Sequence, residues 1–314
     1  MASPAAPRPM LQFVIRRLLE AAVVVFLALT AVFSLQFLAG DPVKLFLPTD
    51  TTPKQIEEFR QRLGLNDPWP VQYVRFMRGA LRGDFGRSLR QGEPALDLVL
   101  ERFPATLALS GVAMALALAI AIPVGVLSAA RRNSWFDHLS IGATVLGQAI
   151  PGFWLGLMLI YVFAVWLKVL PTGGRGTWAH YVLPSITLAA FVAARFARLT
   201  RSTMLDVLGQ DYVRTARAKG LGPRRVLYRH ALKNASLPIV TLLALQLGQL
   251  LGGAVITETI FAWPGVGRFL VQALLNRDFP VVLVGVFLTA VTYSVLNLLA
   301  DLAYAWLNPR VRYA

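Results

Sequence analysis

The chain has 314 residues, 56% of them hydrophobic and only 15% charged, with a mean hydropathy of +0.58, a balance foreign to a water-soluble domain and suited to lipid as the bulk solvent. Cysteine is absent, which excludes a disulfide framework and a thiolate metal site; the three histidines, His138, His180 and His230, lie far apart and read as interfacial or loop side chains rather than metal ligands. A formal charge of +15 raises nucleic acid as a partner, but the basic residues flank apolar runs, so the charge is read as membrane-flanking loops and nucleic acid is excluded.

Each bilayer crossing needs about 20 apolar residues in a helix that satisfies its own backbone. Residues 1–9, rich in alanine and proline, are predicted to be a disordered tail. The first span, Leu18 to Leu38 within a segment over 10–39, follows a charged start at Arg16 and Arg17 but lacks a small-residue cleavage pattern, so it reads as uncleaved. An external segment over 40–103 comes next. In it, Thr52-Pro53-Lys54-Gln55 supplies an N-cap, a first-turn proline and a capping-box glutamine, with Gly64 as the stop. Val71 to Met77 is amphipathic and suits a second short helix at the outer interface. This segment reads equally as a structural cap over the spans and as a solute-docking surface. The core over 104–307 holds five further spans, at Thr106–Ala130, Ile141–Leu167, Tyr181–Ala194, Leu237–Thr257 and Pro280–Ala300. The fourth is short, carries Pro184 and runs into Arg195; Phe196 and Leu199 extend it if the arginines snorkel or face a protein interior. The fold class is therefore an all-α membrane protein of about six spans, ending in a tail over 308–314.

Lysine and arginine set the orientation. With the N-terminus inside, the cytoplasm receives Arg8, Arg16, Arg17, Arg131, Arg132, the cluster from Arg195 to Lys233, Arg310 and Arg312, while short outer loops hold Arg175, Arg268 and Arg277. Both termini are expected in the cytoplasm.

The loop over 203–234, between the fourth and fifth spans, has the local chemistry of helix, turn, helix. Asp211 and Lys219 complement the dipole of a first helix that also holds Tyr212, Arg214, Thr215, Ala216, Arg217 and Ala218. Gly220 closes it in the left-handed conformation, and Pro223 starts a second helix from Arg224 to Lys233. Small residues at Thr215, Ala216 and Ala218 leave a low surface able to enter a groove on another protein; a plain basic loop obeying the positive-inside rule is the other reading.

Arg214-Thr215-Ala216-Arg217-Ala218-Lys219-Gly220 resembles the cytoplasmic coupling motif of binding-protein-dependent ABC importer permeases, in the dipeptide, oligopeptide, nickel and glutathione branch. The general pattern there is Glu-Ala-Ala, three residues, then Gly; Arg214 stands in the acidic place, and Leu237-Pro238 lies further along than usual, both features resembling the peptide branch. Gly40-Asp41-Pro42, Gly83-Asp84-Phe85-Gly86-Arg87-Ser88, Phe261-Ala262-Trp263-Pro264-Gly265-Val266-Gly267 and Asn308-Pro309-Arg310-Val311-Arg312-Tyr313 match in order, so the resemblance covers Phe13 to Tyr313. It implies a multi-pass permease subunit of a bacterial or archaeal inner membrane. The implied partners are a second homologous permease, two ABC ATPase subunits that bind the ATP, an extracytoplasmic solute-binding protein and membrane lipid. Residues Asp211 to Gly220 would contact an ATPase. The implied cargo is a small peptide, with glutathione or a nickel complex as alternatives. The chain itself is expected to have no catalytic residue, metal or cofactor, and it contains no Gly-x-x-x-x-Gly-Lys-Ser/Thr phosphate cradle.

Polar residues within spans are candidates for lining the pathway or for hydrogen bonds between helices: Gln148, Gln246, Gln249, Thr292, Tyr293 and Asn297. Gly152 with Gly156, and Gly248 with Gly252, are spaced for close helix approach. Glu258 and Asp301, at span ends, are candidates for a gate or for interfacial ion pairs. A secondary transporter would need carboxylates at mid-span, and Glu20, Glu258 and Asp301 all lie toward span ends. An intramembrane enzyme would need an activated nucleophile, and neither Ser110 nor Ser140 has a visible activating partner.

Overall fold

The computed structural model describes residues 10–38, 52–62 and 66–307; the predicted tails, the Gly40-Asp41-Pro42 stretch and the Gly64 stop lie outside them. In chain order the helices are α1 (Met10–Leu38), α2 (Pro53–Arg62), α3 (Trp69–Ala80), α4 (Ala95–Ala130), α5 (Trp135–Ala149), α6 (Gly152–Leu159), α7 (Ala179–Leu208), α8 (Asp211–Ala218), α9 (Leu232–Ile260), α10 (Val266–Leu275) and α11 (Phe279–Leu307). No strand occurs among the described residues, only an isolated bridge between Arg87 and Pro94. Among the described residues five helical stretches are long and apolar enough to cross a membrane, and the bent pair α5 and α6 makes a sixth crossing if counted as one.

Three spans differ from expectation. The third, predicted as one helix over Ile141–Leu167, is two helices bent by 101°. Proline disfavours the helical conformation in the preceding residue and donates no hydrogen bond. Ile150 is accordingly extended (φ −74, ψ 121), and Pro151 caps the start of α6. Helix α6 then loosens into a π-helix over Ile160–Trp166. The fourth span is longer than expected: α7 runs 30 residues with Pro184 near its start, and takes Arg195, Arg198 and Arg201 into the helix. The predicted helix from Arg224 to Lys233 forms, started by Pro223, but is not separate from the fifth span. A short turn at Pro223–Arg225 passes through a π-helix, Val226–Ala231, directly into α9. Helix α4 begins at Ala95, inside the segment assigned outside the spans; its 36 residues extend about 54 Å against a hydrocarbon core of about 30 Å.

The chain divides into two compact units, one of Met1–Arg17, Leu107–Trp263 and Tyr293–Ala314, the other of Leu18–Thr106 and Pro264–Thr292. In the second, the expected capping box forms: the Thr52 N–H donates to Gln55 Oε1 at 3.0 Å and the Gln55 N–H to Thr52 Oγ1 at 3.4 Å. Helix α3 exists as predicted and stacks on α1 through Phe33, with Phe76 at 5.1 Å, Tyr73 at 5.4 Å and Trp69 at 6.3 Å between ring centroids. The Gly83–Ser88 stretch is a turn clasped by the loop before α11: buried Asp278 accepts from Ser88 Oγ at 2.5 Å and from the Leu89 N–H at 3.0 Å. Phe85, Leu98, Val99, Phe269, Val281 and Val284 pack beneath it.

In the first unit small residues let the helices approach, since association in lipid rests on packing rather than on expelling water. A side chain on Gly125 would meet the Thr200 Cβ at 2.6 Å and the Ala197 carbonyl oxygen at 2.8 Å, which brings α4 against α7. Gly156 meets Phe261 and Thr187 at 3.2 and 3.4 Å, and Gly248 lies under the Tyr293 ring, whereas Gly152 and Gly252 have nothing within 4 Å. The Phe261-Ala262-Trp263 turn packs into the same unit: Trp263 is fully buried, with Tyr181 edge-on at 4.6 Å, and the Gly174 N–H donates to the Phe261 carbonyl at 2.7 Å.

Candidate functional site

Two constellations stand apart from packing, both in the first unit. The first is α8. Gln210, extended at φ −76 and ψ 150, starts it. It ends as the sequence predicts: Gly220 has φ +76, the Leu221 N–H donates to the Ala216 carbonyl at 3.3 Å and the Gly220 N–H to the Arg217 carbonyl at 2.9 Å, the paired closing bonds of a Schellman motif. Val213 and Ala216 are buried against Val226, with Val207, Leu208 and Leu221 around them. Asp211, Tyr212, Arg214, Thr215, Arg217, Ala218, Lys219 and Gly220 are exposed. Ala216 therefore holds the helix down rather than contributing to its outer surface, a correction to its place in the predicted contact set. Tyr212 also ties α8 to α9, its hydroxyl accepting from Asn234 Nδ2 at 2.9 Å.

The end of α7, which leads into α8, is tied to α4 and α5 by a pair the sequence reading missed. Arg201, near the end of α7, makes a two-pronged salt bridge to Asp137, Nε to Oδ1 at 2.6 Å and Nη2 to Oδ2 at 2.7 Å. The Asp137 side chain is only 1% exposed. It also accepts from Ser128 Oγ and from the Asn133 N–H at 2.9 Å, so one carboxylate joins the end of α4, the turn after it, the start of α5 and the end of α7. The available signal was Ser134-x-x-Asp137: Ser134 is the N-cap of α5 and accepts from the Asp137 N–H at 3.3 Å. Beside this lies a packed cluster of Val126, Ala129, Met204, Ala231 and Ala235.

The second constellation is at mid-helix. Arg195, at the middle of α7, donates from Nη1 to Gln246 Oε1 at 3.3 Å and to Gln249 Oε1 at 3.1 Å, and its guanidinium lies 4.3 Å from the centre of the Phe191 ring. Gln246 sits at the middle of α9 and is buried; Gln249 is exposed. Tyr293 packs on Gly248 at the same level. Further along α7, Arg198 and Ser202 line a cavity of about 290 Å³ with Thr144 and Gln148.

The other predicted positions are placed differently. Thr292 donates to the Leu288 carbonyl of its own helix at 2.6 Å, and Asn297 is half-buried on α11. Asp301 is paired with Arg17 at 2.7 Å. The Glu258 side chain is fully buried at the end of α9, where its carbonyl accepts from the Trp263 N–H at 2.8 Å. No group of His, Asp and Glu able to hold a metal occurs among the described residues.

Comparison with known proteins gives a family and a fold. Residues 121–313 match the family described as binding-protein-dependent transport system inner membrane component, and residues 10–110 match the N-terminal part of such membrane components. The glutathione transport system permease protein GsiC of Escherichia coli strain K12 is 42% identical over 305 residues, 97% of this chain and 100% of that protein; the protein of the same name from Shigella dysenteriae serotype 1 is equally similar. Among solved structures, inward-facing forms of the MetNI methionine ABC transporter match at TM-scores of 0.54 and 0.58, at 18% identity, over 67% of this chain and 96% of theirs.

Proposed function

The chain belongs to the family of inner membrane components of binding-protein-dependent transport systems, a multi-pass permease subunit of an ABC importer, and from that premise we propose that it forms half of a pathway importing short peptides, glutathione among them. The 42% identity to a glutathione permease across 97% of the chain is the observation that carries the cargo class. Glutathione is itself a tripeptide, so peptide and glutathione cargo demand the same kind of path.

The proposed coupling runs through α8. Its apolar side is fastened to the chain by Val213 and Ala216, its end is fixed by the Gly220 cap, and its outer surface is basic with Thr215 and Ala218 between the arginines and lysine, a form suited to a groove on an ATPase subunit. Closure of an ATPase pair would carry the helix and tilt the spans behind it, alternating access to the path. The distribution of lysine and arginine supports a cytoplasmic side for α8 and both termini and an outer side for α2 and α3. ATP hydrolysis falls to the partner subunits, and a second permease completes the pathway.

The test is purification of the tagged chain in mild detergent from its native membranes, identification of the bound subunits by mass spectrometry, and reconstitution with ATP enclosed. Recovery of P-loop ATPases and a second permease, with ATP-dependent uptake of glutathione or a tripeptide, is the expected result. A chain that purifies alone and moves solute without ATP would overturn the proposal.

A further inference from the structure

We infer that Arg195, held by Gln246 and Gln249, is a carboxylate-binding subsite within α7 on the transport path, and that with Arg198 it selects solutes bearing an anionic group. The inference rests on the importer reading above and adds the chemistry by which the path recognises its cargo.

An arginine at the centre of a membrane span is costly unless it faces an anion or a water-filled cavity. Arg195 stands at the middle of α7, yet it forms no salt bridge among the described residues; its acceptors are two neutral amides. Arg198, one turn on, likewise forms none and is exposed to the cavity it lines. Arg201, one turn further, is the contrast: its charge is answered in full by Asp137. Two cations without an ion-pair partner among the described residues thus follow one another on α7, Arg195 toward α9 and Arg198 toward the cavity beside α5, ending at a cation that is neutralised.

The geometry of the guanidinium points to a carboxylate. Both hydrogen bonds to the glutamines leave from Nη1, which uses both of that nitrogen's hydrogens. The edge formed by Nε and Nη2 keeps its parallel N–H donors, and no acceptor among the described residues takes them. That edge is the fork that grips a carboxylate with two bonds at once. Phe191 on one side and the paired glutamines on the other hold the plane in place, so little side-chain freedom remains to be lost when an anion arrives. Gln249 and Phe191 are both exposed, leaving the site open on the side away from the chain's own core. Peptides and glutathione carry such a carboxylate, whereas a cationic complex would be repelled.

The experiment uses the whole complex with its binding protein in proteoliposomes, and compares uptake of Ala-Ala-Ala with that of its C-terminal amide, each at a concentration that saturates the binding protein. The wild-type complex is expected to favour the acid by about 10- to 100-fold, the scale of a charge-assisted hydrogen-bonded pair. Arg195→Gln is expected to bring the acid-to-amide ratio close to one, and Arg195→Lys to keep part of the preference. An unchanged ratio in Arg195→Gln would overturn the subsite. So would failure of Arg195→Gln to assemble with the second permease, since Arg195 would then be answering a carboxylate of that partner. A second measurement does not depend on transport. The chain has no cysteine, so Leu245→Cys, exposed one turn from Gln249, provides one thiol in this subunit; its labelling by a methanethiosulfonate reagent should be slowed by acetate and not by ethylamine. Equal effects of the two would overturn the subsite. If the wild-type complex takes up neither peptide while acetate still protects, the peptide reading fails and the carboxylate subsite stands.

Discussion

Replacing Arg201 by methionine tests whether the ion pair beneath α8 acts as a structural tie. The Asp137 carboxylate is 1% exposed, and losing the guanidinium leaves a buried charge whose remaining partners are the Ser128 hydroxyl and the Asn133 N–H. Stranding one member of a buried pair costs about 3–5 kcal/mol, and the two surviving hydrogen bonds place Arg201→Met at the lower end, about 3 kcal/mol. Asp137→Leu with Arg201→Met removes the stranded charge as well, so the double variant should be more stable than Arg201→Met alone. The assay is unfolding in mixed micelles of dodecylmaltoside and sodium dodecyl sulfate, read as a double-mutant cycle with an expected coupling of about 1.5–3 kcal/mol. A second reading is the ATP hydrolysed per solute imported, which should rise in Arg201→Met because α8 loses its fixed base. Additive effects of the two substitutions, or a single variant as stable as the parent, would refute the reasoning.

Gly220→Ala should cost about 1–2 kcal/mol through its left-handed backbone alone, because nothing lies within 4 Å of the added methyl; Gly220→Asn should recover most of it, as measured by ATPase co-purification in increasing detergent. Ala216→Trp and Thr215→Trp should part company. The first wedges against Val226 and loosens α8, seen as new protease cleavage near Gly220 in the isolated chain; the second, on the exposed side, leaves the isolated chain intact but abolishes ATPase binding in pull-downs. Asp278→Ala should destabilise the other unit by about 3 kcal/mol by leaving Ser88 Oγ and the Leu89 N–H without their charged acceptor, read as a lower midpoint in the same micelle titration, while the hydrogen-bonding Asp278→Asn loses less.

The spans, the capping box at Thr52 and Gln55 and the closing glycine at 220 were legible because each is written in local chemistry: runs of apolar residues, a cap spaced by three, a glycine at a helix end. The bend at Pro151 was legible in principle, since proline disfavours helix in the residue before it, but a largely apolar stretch from Ile141 to Leu167 outweighed it. Ala216 was assigned to the outer surface because small residues suit a groove, whereas which side a residue faces depends on where Val226 comes to lie. The Asp137–Arg201 pair joins residues 64 apart and has no local signature beyond a cap. Gln246 and Gln249 were legible as polar residues in an apolar span; that Arg195 faces them depends on the register of α7 against α9, which no single segment encodes.

That register also relates the two constellations. Helix α7 runs without a break from Arg195 to Leu208, about 20 Å by the usual helical rise, and is fastened near its end by the Asp137 pair. A displacement arriving at α8 therefore reaches Arg195 through a stiff rod. The other route is softer. Helix α9 joins α8 through Tyr212 and Asn234, but the π-helix at Val226–Ala231 precedes it and Pro238 interrupts its hydrogen bonding before Gln246. Such features are where helices bend. Unequal stiffness along the two routes turns a common push into a relative movement of Arg195 against Gln246 and Gln249. On the proposed coupling through α8, the hydrogen bonds at 3.1 and 3.3 Å are the contacts expected to change first when α8 is displaced.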